Sequence, residues 1–158
     1  KFSEDFLANN KIDLHLIGPL QTNKALDALK LFSTIQSIDR VKLVEVIVDA
    51  KEKLAEKMIT QSFYIQVNIG DEPQKSGVTI RDLRPLYQTC LQGGLNIEGL
   101  MCIPPVNQSP NKYFELLFQL KNQINPSLKL SMGMSQDYHK ALSYQTDMIR
   151  IGSFLFNE

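Results

Sequence analysis

The sequence predicts an α/β protein built on a parallel sheet, and three observations carry that prediction. Six short segments rich in apolar, β-branched or aromatic residues recur along the chain. Five segments with a helical apolar period separate them, so that one unit repeats at roughly 20 to 35 residues, the rhythm of βα units. Each apolar segment runs into Gly, Pro or Asp, where a strand should stop. A (β/α)8 barrel closes on eight strands, and six leave it open with two unpaired edges.

Taken in order, residues 1–11 read as the tail of a polar helix and a loop. Ile12 to Ile17 is a strand stopped by Gly18-Pro19, and Thr22 is placed to cap a helix over Asn23 to Phe32. His15 lies inside that strand, where a core histidine and a catalytic one are both open readings. Ser33 to Ile38 is the second strand. Asp39 should cap a helix from Arg40 to Met58, whose Val41, Leu43, Val44, Ile47, Val48 and Leu54 form one apolar face. Lys42, Glu45, Lys51, Glu52 and Lys53 fall on the solvated side.

Ser62 to Ile69 alternates and is the clearest strand; it opens into the polar loop Gly70 to Gly77. Thr79 should cap a helix over Ile80 to Leu91, and Asn96 to Ile103 is a strand ended by Pro104-Pro105. Its Met101 suits either a core or the floor of a ring pocket. Lys112 to Ile124 is an amphipathic helix closed by Pro126. Leu128 to Met132, a helix over Gln136 to Ser143 with an exposed His139, and Met148 to Ile151 complete the chain.

The chain has 158 residues, 43% hydrophobic and 22% charged, enough for one domain with its own core. Seventeen basic residues balance seventeen acidic ones, which removes the electrostatic signature of nucleic-acid or anionic-membrane binding. Cys90 and Cys102 form neither a disulfide framework nor a metal-binding spacing, so no metal is expected and a reducing cytoplasm is the expected location. No apolar run approaches the roughly 20 residues of a membrane span. The chain opens on Lys1, with no element before Ile12, so missing N-terminal units are expected.

The last quarter carries the chemistry. Two strands run into Gly133-Met134-Ser135 and Gly152-Ser153, an arrangement that suits a phosphate: glycine lets backbone N–H groups approach an anion, and Ser131 or Ser153 adds a hydroxyl. Arg150 stands in an otherwise apolar strand, where a buried guanidinium needs an acceptor from a ligand or a carboxylate.

Five motifs, HLIGPLQTNK, VNIGDEPQKSG, GLMCIPP, SMGMSQD and IRIGS, occur in order along the chain. Together they resemble the pyridoxal-phosphate homeostasis family, single-domain relatives of the N-terminal barrel of alanine racemase. The resemblance implies a barrel of that type lacking its first two βα units, with residues 1–158 as a single partial cofactor-binding domain. It implies pyridoxal 5′-phosphate as cofactor and a non-catalytic carrier or buffer of vitamin B6 in the cytoplasm. PLP-dependent apoenzymes are the implied partners, and the state is a monomer, or a dimer if the barrel stays open. A fragment of a racemase-like enzyme is the alternative.

By the same resemblance Arg150 faces the pyridine nitrogen, Gly152, Ser153 and Ser131 hold the phosphate, and Gly133, Met134 and Ser135 contribute backbone donors beside Met101. The family's Val-Ser-Lys-Thr-Lys motif, with the lysine that forms the Schiff base, and its Gly-Glu-Asn-Tyr turn have no counterpart here. Lys24 and Lys75 lie in loops at the same mouth and are not expected to replace that lysine, which needs a dry position. Two departures stand out: Asn157 where the family has glycine, and Tyr144-Gln145 in place of a Gly-Ser pair. The histidine of the first motif is implied to face the interior without acting as a base.

Overall fold

The computed structural model describes residues 12–54, 59–60 and 62–153. Its strands are β1 (His15–Leu16), β2 (Thr34–Ile38), β3 (Ser62–Val67), β4 (Ile97–Cys102), β5 (Lys129–Met134) and β6 (Met148–Arg150). Between them lie α1 (Ala25–Leu31), α2 (Val41–Leu54), α3 (Ile80–Gln92), α4 (Asn111–Ile124) and α5 (Tyr138–Leu142). The strands form one parallel sheet in the order β1-β2-β3-β4-β5-β6, each paired with its neighbour in sequence. That order is the one a barrel uses, and among the described residues it does not close.

Strand periodicity divides the sheet into two faces. Phe63, Ile65 and Val67, Leu100 and Cys102, and Leu130 and Met132 belong to the apolar core, together with Leu43, Ile47, Leu83, Leu86, Phe114 and Leu117 from the helices. Alternate positions carry Thr34, Gln36, Tyr64, Gln66, Met101 and Ser131, all buried. The pairing of β2 with β3 shifts between Ile35 and Ile38, and this irregularity lets both isoleucines, three positions apart, enter the core.

The second face is concave. Three inter-strand spacings separate β2 from β5, about 14 Å on a flat sheet. Yet Ser131 Oγ donates to Gln36 Oε1 at 2.6 Å, and Gln36 Nε2 reaches Met148 Sδ on β6 at 3.0 Å. Side chains meet across that span only because the sheet curls.

Local differences from expectation have local causes. Thr22 does not cap α1: it begins a 3-10 turn, Thr22–Lys24, and α1 starts at Ala25 without a side-chain cap. Val41, expected on the apolar face, is exposed in the first turn of α2. Thr79 caps α3 as expected, its hydroxyl accepting from Asp82 N–H at 3.2 Å. β5 runs two residues past Met132, and α5 begins at Tyr138 instead of Gln136. The reason is Asp137, whose carboxylate accepts Met134 N–H at 2.6 Å and holds residues 135–137 as a turn. The expected helix tail in residues 1–11 and the end of α2 at 55–58 lie outside the described residues.

Candidate functional site

A cavity of about 600 Å³ opens beyond the carboxyl ends of β4, β5 and β6. One wall is the apolar segment from Ile103 to Pro105; Met134, Ser135, Arg150, Gly152 and Ser153 line the rest. The strand ends deliver these groups for the reason parallel sheets generally do. Each strand must stop there, and the loops that follow are free to carry chemistry.

Arg150 is half-buried at the end of β6. Its Nη1 donates to Ser131 Oγ at 2.8 Å and its Nη2 to the carbonyl of Cys102 at 2.8 Å. Both acceptors are neutral, and no carboxylate among the described residues pairs with it. Burial pulls the guanidinium below its ordinary pKa, while the Asp137 carboxylate acts against that shift. A cation held this way still has capacity for an electron-rich ligand.

Two turns meet beside it. Gly152 N–H donates to the buried Ser135 hydroxyl at 3.2 Å, which ties the end of β6 to the turn after β5. A Cβ built on Gly152 would meet nothing within 4 Å, so the backbone there faces open space. Ser153 follows on the surface of the cavity.

Three of the expected residues sit elsewhere. Ser131 is fully buried beneath Arg150, with its hydroxyl both accepting from the guanidinium and donating to Gln36. Met101 is fully buried on the concave face. Gly133 has φ +94°, and a Cβ there would lie 2.7 Å from Ala141 Cβ, so its part is to let α5 pack on β5. His15 accepts or donates at Nδ1 to Gln36 at 2.9 Å, and His139 is exposed.

Three contributors escaped the sequence reading. Lys140 and Asp137 line the cavity from α5 and the turn before it; their spacing of three, at the edge of a small-residue turn, was the available signal. Gln36 is fully buried in β2, where Thr34 and Ser37 are polar and buried as well, so no single residue of that strand stands out in the sequence. Of the two loop lysines, Lys75 pairs with Glu72 at 2.6 Å and donates to the Pro104 carbonyl at 3.2 Å, and Lys24 is exposed in its 3-10 turn. Among the described residues no group of three metal-ligating side chains occurs, and no helix is long and apolar enough to cross a membrane.

The family model of the alanine racemase N-terminal domain matches residues 7–158. The chain belongs to that family. Within it, the pyridoxal phosphate homeostasis protein of Aquifex aeolicus is 34% identical over 169 residues, covering 100% of this chain and 73% of the relative. The protein of the same name from Schizosaccharomyces pombe is 34% identical, covering 95% of this chain and 67% of the relative. Among solved structures, PipY of Synechococcus elongatus without PLP superposes with a TM-score of 0.81 at 30% identity, covering 97% of this chain and 76% of that one. PipY with PLP bound gives 0.77 at 29%. An alanine racemase of Clostridium difficile, 14% identical with a TM-score of 0.66, shares the fold alone. The six open strands are thus part of an alanine-racemase-type barrel.

Proposed function

We propose that this chain binds pyridoxal 5′-phosphate in the cavity beside Arg150 and serves vitamin B6 homeostasis in the cytoplasm as a carrier or buffer, without catalysing turnover. The observation that carries the reading is Arg150 itself, a largely desolvated guanidinium held by two neutral acceptors and lining the same cavity as the open glycine-serine turn that follows it. Pyridoxal 5′-phosphate has one feature for each half. Its ring nitrogen is an acceptor, and its phosphate is an anion. Arg150 donates to the nitrogen and keeps it unprotonated, because two adjacent positive groups repel. The Ser153 N–H and hydroxyl and the Ser135 N–H hold the phosphate against the open backbone of Gly152, with Lys140 adding charge from the rim; the Gly152 and Met134 N–H groups are engaged by Ser135 and Asp137 and shape the two turns. Ser131 supports the site from beneath the guanidinium, and Met101 and Gly133 from within the sheet.

Relatives at 34% identity are named homeostasis proteins, and PipY has been solved with PLP bound, which supports binding over turnover. When bound, the cofactor supplies an aldehyde reactive toward amines, and apoenzymes that use it are the proposed recipients. A titration of the chain with pyridoxal 5′-phosphate, followed by absorption, tests the reading. Saturable one-to-one binding that inorganic phosphate competes away is expected, and absence of saturation overturns it.

A further inference from the structure

Resting on that reading of the cavity, we propose that Gln36 is a positioning residue, which sets the Arg150 guanidinium through Ser131 by a hydrogen-bond relay that can run in only one direction. Arginine has donors and no acceptor, so the 2.8 Å contact uses a lone pair of Ser131 Oγ. The Ser131 hydrogen then goes to Gln36 Oε1 at 2.6 Å. That leaves the Gln36 amide nitrogen facing His15 Nδ1 at 2.9 Å and Met148 Sδ at 3.0 Å, one hydrogen for each.

No other arrangement satisfies these groups. A flipped amide would aim its nitrogen at a serine oxygen whose own hydrogen would then lack an acceptor, and its oxygen at a thioether that has nothing to donate. Gln36 and Ser131 are both 0% exposed, so water cannot repair a broken link. The relay therefore fixes His15 as the tautomer with a bare Nδ1 and a proton on Nε2. It also ties Ser131, one of the guanidinium's two anchors, to a residue on β2, on the opposite side of the concave face. Removing the Gln36 acceptor frees Ser131 to turn, and the guanidinium keeps only the Cys102 carbonyl.

The test compares two variants of similar volume. Gln36→Leu removes the acceptor for Ser131, whereas Gln36→Glu keeps that acceptor and loses the donor to His15. Positioning predicts that Gln36→Leu shifts the absorption of bound pyridoxal 5′-phosphate in the same sense as Arg150→Ala and weakens binding by about threefold, no more than Arg150→Ala does. Gln36→Glu should stay within about twofold of the parent, with the His15 proton moved to Nδ1 to meet the new carboxylate. Simple space-filling predicts the reverse order, since leucine suits a buried site and an added carboxylate does not. A Gln36→Leu protein that matches the parent overturns the proposal. So does an unmodified protein whose His15 carries its proton on Nδ1, read from the imidazole nitrogen shifts. Should Gln36→Leu fail to fold, the glutamate variant and the His15 tautomer decide. If the parent itself binds no pyridoxal 5′-phosphate, the function proposed above fails alone, and the tautomer still supports or overturns the relay.

Discussion

The guanidinium of Arg150, at the end of β6, donates to the carbonyl of Cys102, at the end of β4, across a distance of 2.8 Å. The two strands are not neighbours: β5 lies between them. The charged group is thus turned inward over the strand ends, where the cavity begins, and away from the exposed edge of β6.

Arg150→Ala is expected to shift the absorption of bound pyridoxal 5′-phosphate more than it lowers affinity, because the ring nitrogen loses its charged neighbour while the phosphate contacts remain. Ser153→Ala should do the opposite, weakening affinity by roughly three- to tenfold with little spectral change. Absorption titrations of both variants check this; equal effects would contradict the division of roles.

Borohydride reduction of the mixed chain and cofactor, followed by intact mass, is expected to give no stoichiometric adduct on a single lysine. Lys75 is engaged with Glu72 and the Pro104 carbonyl, and Lys24 stands in solvent. A one-to-one adduct at Lys140, which lines the cavity, would show instead that this amine has been recruited.

Two substitutions of opposite sign probe backbone conformation near the site. Gly133→Ala forces a side chain into φ +94° and against Ala141, and should cost about 1–3 kcal/mol in a denaturant melt. Gln145, in the Tyr144-Gln145 pair that departs from the resembled family, adopts φ +56°. Gln145→Gly should relieve that conformation and stabilise by about 0.5–1 kcal/mol, after the added freedom of the unfolded chain is counted. A loss of stability in Gln145→Gly would sink this account.

The two cysteines set a limit at high pH. Burial pushes the thiols of Cys90 and Cys102 up to about 12. Above pH 9 the unfolded chain releases these protons and the folded chain keeps them, so the unfolded state binds fewer protons and stability falls as pH rises from 9 towards 12. Both thiols should resist alkylation at pH 8 until denaturant is added. Prompt labelling of Cys102 in the native protein would refute its burial.

Much of this fold was legible because its signals are local. Glycine and proline punctuation located the strands, and the 3.6-residue period located the helices. Thr79 declared its helix by chemistry alone. The misplacements arose where a side chain competed for the same backbone groups, as Asp137 does when it takes Met134 N–H and delays α5. Arg150 could be singled out because a charge in an apolar strand demands a partner. Gln36 does not stand out beside Thr34 and Ser37, and its partner lies 95 residues away on a strand it touches only when the sheet bends. No period or motif encodes that distance.

The links from Gln36 to Ser131 and Met148 close loops of 95 and 112 residues. Contacts of such separation form slowly, since the chain must surrender its freedom long before they reward it. The helices and neighbouring strand pairs can assemble early, but the curvature that brings β2 to β6 arrives last. Refolding of this chain should therefore regain its far-ultraviolet signal well before it regains a pocket. During synthesis, a ribosome must release nearly the whole sequence before there is any place for an anion to bind.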